Sequence, residues 1–203
     1  MKIDLFPTTV LVEERKDSLT KKELNYIKFI SEWNMGSNYI CSDDVILEQR
    51  EFSSIRKFIS DSLHKYMEEV LQCSHKLVIT TSWVNITKTN QWHVRHNHCN
   101  SFLSGVFYFT DALTTPLQFS NPLPHNWNYT RNKYTPTNSD IWGLPIRKNC
   151  CVVFPSYLFH EVFPSSDEND RISLAFNAFF ESEFGSADSK TRFAHPSFSQ
   201  NKV

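Results

Sequence analysis

The chain has 203 residues, 40% hydrophobic and 21% charged, which is the make-up of an ordinary globular chain with enough length to bury one core. A formal charge of −1 and a pI near 6.7 give no basic excess of the kind that draws a protein to nucleic acid or to an anionic membrane. No apolar run approaches the roughly 18 residues that span a bilayer, and residues 1–10 lack the basic-then-apolar layout of a signal peptide.

Residues 4–13 read as a strand that begins at a proline. Residues 20–34 read as a helix, with Thr20 and Glu23 at capping-box spacing. Residues 52–72 form the clearest helical pattern: Ile55, Phe58, Ile59, Leu63, Tyr66, Met67, Val70 and Leu71 recur every three to four residues, the spacing of a core-facing stripe. From residue 76 the pattern changes to short β-branched and aromatic runs at 76–87, 101–110, 116–120, 150–155, 159–164 and 171–180, bounded by Pro, Asn, Asp and Ser. Helices followed by many short strands predict a mainly β domain with N-terminal helices packed on one sheet. Residues 120–147, rich in Pro, Asn and aromatic side chains, predict a long irregular loop. The expected layout is a single domain over 1–203: an N-terminal strand and supporting helices to 75, a β core over 76–183 and a tail over 184–203. The five cysteines show no CxxC spacing and read as free thiols in a reducing, cytoplasmic setting; Cys150 and Cys151, being adjacent, should point to opposite faces of a strand.

Three of the eight histidines, His93, His96 and His98, fall within six residues between two strand-like runs. Residues two apart on an extended chain point the same way, so His96 and His98 can reach one metal ion, whereas regular parity turns His93 away. His160, in a later strand, can supply a third ligand. Arg171 follows it by 11 residues, and a cation there suits a two-pronged clamp on a carboxylate, with the Ser173 hydroxyl on the same side. Each part alone has a plain alternative: paired histidines on a surface turn, a buried histidine satisfied by backbone, a surface arginine. Glu161, next to His160, should face the other way.

Four segments carry a resemblance: Leu5–Val10, Ser82–Asn85 (SWVN), His96–Tyr108 (HNHCNSFLSGVFY) and Phe154–Asn177, which runs from FPS through His160 to RISLAFN. On these the chain resembles the 2-oxoglutarate–Fe(II) oxygenase family of bacterial and phage type, over nearly its whole length. The resemblance implies a double-stranded β-helix (jelly-roll, cupin-like) fold and Fe(II) held by His96, His98 and His160. It implies that Arg171 and Ser173 bind the far carboxylate of 2-oxoglutarate, with Tyr108 beside it and Asn85 and Asn177 as pocket polar groups. It implies O2 as the other co-substrate and hydroxylation as the reaction.

One feature departs from the superfamily. Most members use two histidines and one carboxylate, and His98 stands at the usual Asp position. With bound 2-oxoglutarate a carboxylate triad leaves the centre at about −1 and three imidazoles leave it near 0. His98 also fills the position that a halogenase leaves for halide. Trp127, Tyr129 and Tyr134, in the 120–147 loop, either contact a small-molecule or peptide substrate or staple the loop to the barrel. Three other readings compete: a cupin-like metal-binding protein without 2-oxoglutarate, which has no need of Arg171 and Ser173; a non-catalytic binding barrel; and a nucleic-acid demethylase using Arg131 and Lys133, which the neutral charge disfavours.

Overall fold

A computed structural model describes residues 1, 3–28, 30, 32–34, 39–41, 43–123, 129–165 and 169–193. Its elements are β1 (Leu11–Glu14), α1 (Lys21–Lys28), β2 (Glu32–Asn34), β3 (Tyr39–Cys41), α2 (Ser53–Lys65), β4 (Leu77–Thr87), β5 (His93–His96), β6 (Leu103–Tyr108), β7 (Ala112–Ser120), β8 (Ile141–Ile146), β9 (Cys150–Pro155), β10 (His160–Val162) and β11 (Arg171–Phe180). Two 3-10 turns, Ile46–Glu48 and Arg50–Phe52, lead into α2, and a π-turn over Tyr66–Val70 ends it.

The strands make two antiparallel sheets. The larger runs β1-β9-β6-β11-β4-β3-β2 and the smaller β5-β10-β7-β8. Alternation along the strands builds two cores. On one face of the large sheet Phe107, Cys151, Val153 and Phe176 pack with Ile55, Ile59 and Leu63 of α2. On the other face Tyr108, Val152 and Phe154 meet Leu117, Phe119 and Val162 of the small sheet. Cys150 and Cys151 fall into different cores, as adjacent strand residues must. Burying each large apolar side chain contributes about 1.5–3 kcal/mol, so the two faces of the large sheet hold the helices and the second sheet in place. This is the mainly β, two-sheet arrangement expected of a double-stranded β-helix. Gly105 lies where strands and core converge: a Cβ there would sit 2.2 Å from Phe176 Cζ and 2.5 Å from the Val152 carbonyl oxygen.

The capping box is present, with the Thr20 N–H donating to Glu23 Oε2 at 2.6 Å and the Glu23 N–H donating to Thr20 Oγ1 at 3.2 Å. Elsewhere local pattern and structure differ. The expected helix over 20–34 stops at Lys28, because residues 32–34 pair with 39–41 and extend the large sheet. The expected strand over 4–13 is confined to Leu11–Glu14, the only stretch that finds register on β9. The expected loop over 120–147 contains β8. This strand carries Gly143 and Pro145, and it is tolerated because it lies at the edge of the small sheet, where a proline removes no ladder bond from a central position. Among the described residues no helix is long and apolar enough to cross a membrane. Cys73, Cys99, Cys150 and Cys151 are free thiols.

Candidate metal centre

His96 closes β5 and His160 opens β10, and antiparallel register sets the two directly opposite one another. His98 follows two residues after His96, in a tight turn whose Asn100 takes the left-handed conformation at φ 58°. The His98 N–H donates to the Ser156 carbonyl at 2.9 Å and anchors that turn. The three rings therefore converge: centroids are 4.3 Å apart for His96 and His160, 5.1 Å for His98 and His160, and 5.2 Å for His96 and His98. One potential ligand atom from each lies within 4.8 Å of the other two.

Each Nδ1 already has a partner. His96 Nδ1 faces the Val94 carbonyl at 2.7 Å and His160 Nδ1 the Leu158 carbonyl at 3.0 Å, in both cases a backbone oxygen two residues back along the chain. His98 Nδ1 faces Asn177 Oδ1 on β11. An Nδ1–H that donates to oxygen leaves the Nε2 lone pair for a metal. Burial, with His96 beside it, pushes His160 down to about 3, and burial also lowers His98 against the opposing pull of Asn177. Both rings are held neutral near pH 7, as ligation requires. Phe154 packs edge-on to His160 at 4.8 Å, and Trp83 stacks on His98 at 5.9 Å, which walls the cluster with aromatic surface.

A cavity leads from the three histidines between the two sheets, and Asn85, Tyr108, Arg171 and Ser173 line it. Arg171 is buried. It donates to the Thr115 carbonyl at 2.9 Å and to Tyr108 Oη at 3.0 Å, and its guanidinium lies 5.3 Å from the Tyr108 ring centre. None of the ion pairs among the described residues involves Arg171. A buried guanidinium without an anion is costly, so this end of the cavity suits a carboxylate. Ser173 and Asn85 are buried beside it and line the same space. Burial pushes the Tyr108 phenol up, with Arg171 opposing, so it stays protonated.

Two expectations change. His93 does not turn away: it lines the same cavity, with Nε2 2.9 Å from Thr87 Oγ1. The strand is not regular there, since His96 pairs with His160 but His93 pairs with Val162, three steps against two. The bulge reverses parity over that stretch. Asn177 is not in the cavity lining and instead holds His98. Glu161 borders the cavity but stands outside the three-histidine cluster. Tyr129 and Tyr134 are not in the lining either; they flank Arg131, 4.5 and 5.6 Å from its guanidinium, and Arg131 Nε donates to the Asn138 carbonyl at 2.8 Å. That geometry is a staple within the loop. Trp127 lies outside the described residues. The sequence pattern missed Trp83 and the hydroxyls of Thr81, Ser104 and Ser156 around Asn177; only the placing of Trp83 in the SWVN strand hints at any of them.

Residues 81–177 match the family model described as "Putative 2OG-Fe(II) oxygenase". No curated protein is similar to the chain by sequence. Among solved structures, a 2OG-Fe(II) oxygenase family oxidoreductase from Burkholderia pseudomallei is 12% identical over 83% of each chain, with a TM-score of 0.58. HygX from Streptomyces hygroscopicus, solved with nickel and 2-oxoglutarate, is 13% identical over 90% of each chain, with a TM-score of 0.59. A prolyl hydroxylase from Trichoplax adhaerens, solved with a hypoxia inducible factor peptide fragment, is 13% identical over 85% of this chain and 84% of that one, with a TM-score of 0.57. At these identities the structures speak for the fold.

Proposed function

We propose that the chain, whose residues 81–177 match the 2OG-Fe(II) oxygenase family model, is a 2-oxoglutarate-dependent non-haem iron dioxygenase that hydroxylates a small molecule or a peptide. The observation that carries the co-substrate is Arg171, a buried cation lining the cavity with no acidic partner among the described residues.

The donor set fits iron. Three imidazoles with their Nδ1 atoms engaged offer three converging Nε2 atoms, and imidazole suits iron, zinc, nickel and copper alike. His96, His98 and His160 would hold the iron, and a chelating co-substrate and O2 would complete its ligand set. When bound, the iron with 2-oxoglutarate and O2 supplies oxidation of a substrate C–H bond, with succinate and CO2 as co-products.

The chain's own residues do the rest. Arg171 binds the far carboxylate in charge-assisted fashion and is held in place by Thr115 and Tyr108. Ser173 and Asn85 offer neutral hydrogen bonds beside it. Trp83 and Phe154 keep water off the histidine cluster and fix the rings in orientation.

The test is succinate release from 2-oxoglutarate by the Fe(II)-loaded chain, together with co-substrate affinity in Arg171→Ala. Truncating one side of a buried charge pair costs 2 kcal/mol or more, so affinity for 2-oxoglutarate should fall at least about 30-fold while metal binding persists. Unchanged affinity and turnover would remove the co-substrate assignment. The all-imidazole ligand set favours, as a second reading, a cupin-like metal protein without 2-oxoglutarate; that protein would bind metal and show no response to the co-substrate.

A further inference from the structure

The strand β11 presents Arg171, Ser173, Ala175 and Asn177 on one face, because side chains repeat every second residue. Arg171, Ser173 and Ala175 line the cavity, and Asn177, at the far end, does not. Register places Asn177 directly between Thr81 on β4 and Ser104 on β6. Its Nδ2 donates to Thr81 Oγ1 at 3.0 Å, and its Oδ1 accepts from Ser104 Oγ at 2.8 Å and faces His98 Nδ1. Ser104 is in turn 2.7 Å from Ser156 Oγ, and both serines are fully buried. Ser156 also accepts the His98 N–H through its carbonyl. Ring and backbone of His98 are thus both tied to one buried polar network.

His96 and His160 are oriented differently. Their Nδ1 acceptors are backbone carbonyls two residues earlier in the chain, which no substitution removes. His98 has a side chain in that role, contributed by the opposite sheet. A neutral imidazole in water prefers its proton on Nε2, the nitrogen that must be bare to ligate; an oxygen acceptor at Nδ1 reverses that preference. A flipped Asn177 amide would donate to Nδ1 and force the proton onto Nε2. Ligation by His98 and the orientation of this amide therefore stand or fall together.

We propose that Asn177 is a positioning residue that sets the tautomer and direction of His98, making an imidazole serve where a carboxylate is usual. The proposal rests on the reading of His96, His98 and His160 as metal ligands. A carboxylate ligand needs no tautomer control, whereas His98 acquires that need along with its place in the cluster. The acceptor is an amide, so the network adds no charge to a centre already lacking a carboxylate.

The test uses the full-length chain and two readouts. Long-range 1H–15N correlations of the histidine rings in the metal-free protein read the tautomer directly. Titration with Co(II), followed by its visible absorption, reads ligation. In the wild type His98 carries its proton on Nδ1. In Asn177→Ala that proton moves to Nε2 and Co(II) binding weakens 10–100-fold, the usual effect of losing such a partner. Asn177→Asp keeps an acceptor, retains Nδ1–H and binds Co(II) at least as tightly as the wild type. Should Asn177→Ala fail to fold, the Asp variant against the wild type carries the comparison. A wild-type His98 with its proton on Nε2, an Ala variant with unchanged tautomer and affinity, or an Asp variant that binds Co(II) more weakly than the wild type would each overturn the positioning role alone. A wild type that binds no Co(II) would overturn the metal-centre reading and this role with it.

Discussion

His93 lines the same cavity as the three-histidine cluster without belonging to it, and its burial has a measurable consequence. Burial, with Arg171 and His96 nearby, pushes it down to about 3. The folded value lies below the ordinary one, so between about pH 6.5 and 3 the unfolded chain takes up a proton that the folded chain does not. Stability is therefore full above pH 6.5 and is lost as pH falls toward 3. His160, pushed down for the same first reason, acts in the same direction. Urea unfolding of the metal-free protein should show stability falling by up to about 1.4 kcal/mol per pH unit for each such ring. His93→Gln should flatten the profile, and an identical slope in that variant would mean the ring is protonated in the fold. Nothing in the local sequence foretold this burial. Parity across WHVRHNH assigned His93 to the far face, and the single extra residue in β5 that reverses it is set by pairing with β10.

At the scale of elements, α1 is joined to the large sheet by one buried ion pair. Arg15, just past β1, donates to Glu23 Oε1 at 3.0 Å and to Ser54 Oγ at 2.9 Å, and both members of the pair are almost wholly out of water. Glu23 also closes the capping box at Thr20. Glu23→Ala would leave a buried guanidinium uncompensated and an orphan helix N–H, so thermal unfolding should report a loss of about 3–5 kcal/mol. A change below 1 kcal/mol would show that water reaches Arg15. The capping box was legible because its partners are three residues apart. The ion pair was not, since it depends on how β1 meets α1. The same distinction explains β8: its edge position, rather than its composition, admits Gly143 and Pro145.

At the scale of the whole molecule, the site bridges the two sheets. His96 and His160 come from the small sheet, while Asn177 and Arg171 come from β11 in the large one. A metal and co-substrate that bind only this assembled arrangement stabilise it by mass action, about 2.7 kcal/mol at a hundredfold excess over Kd. Co(II) with 2-oxoglutarate should raise the thermal midpoint, EDTA should reverse the rise, and His160→Ala should abolish it; a wild-type midpoint indifferent to metal would contradict a centre built from these three rings. The strand runs, the α2 stripe, the capping box, and the candidate roles of His96, His98, His160, Arg171 and Ser173 were all readable from the chain alone. Each rests on chemistry or periodicity expressed within a few residues, or on motifs whose order is itself sequence. The inward turn of His93, the isolation of Arg171 from any acidic partner among the described residues, and the hold of Asn177 on His98 across 79 residues were decided by the tertiary structure. They depend on strand register, on a bulge and on which side chains burial leaves unpaired, and those are properties of the packed sheets.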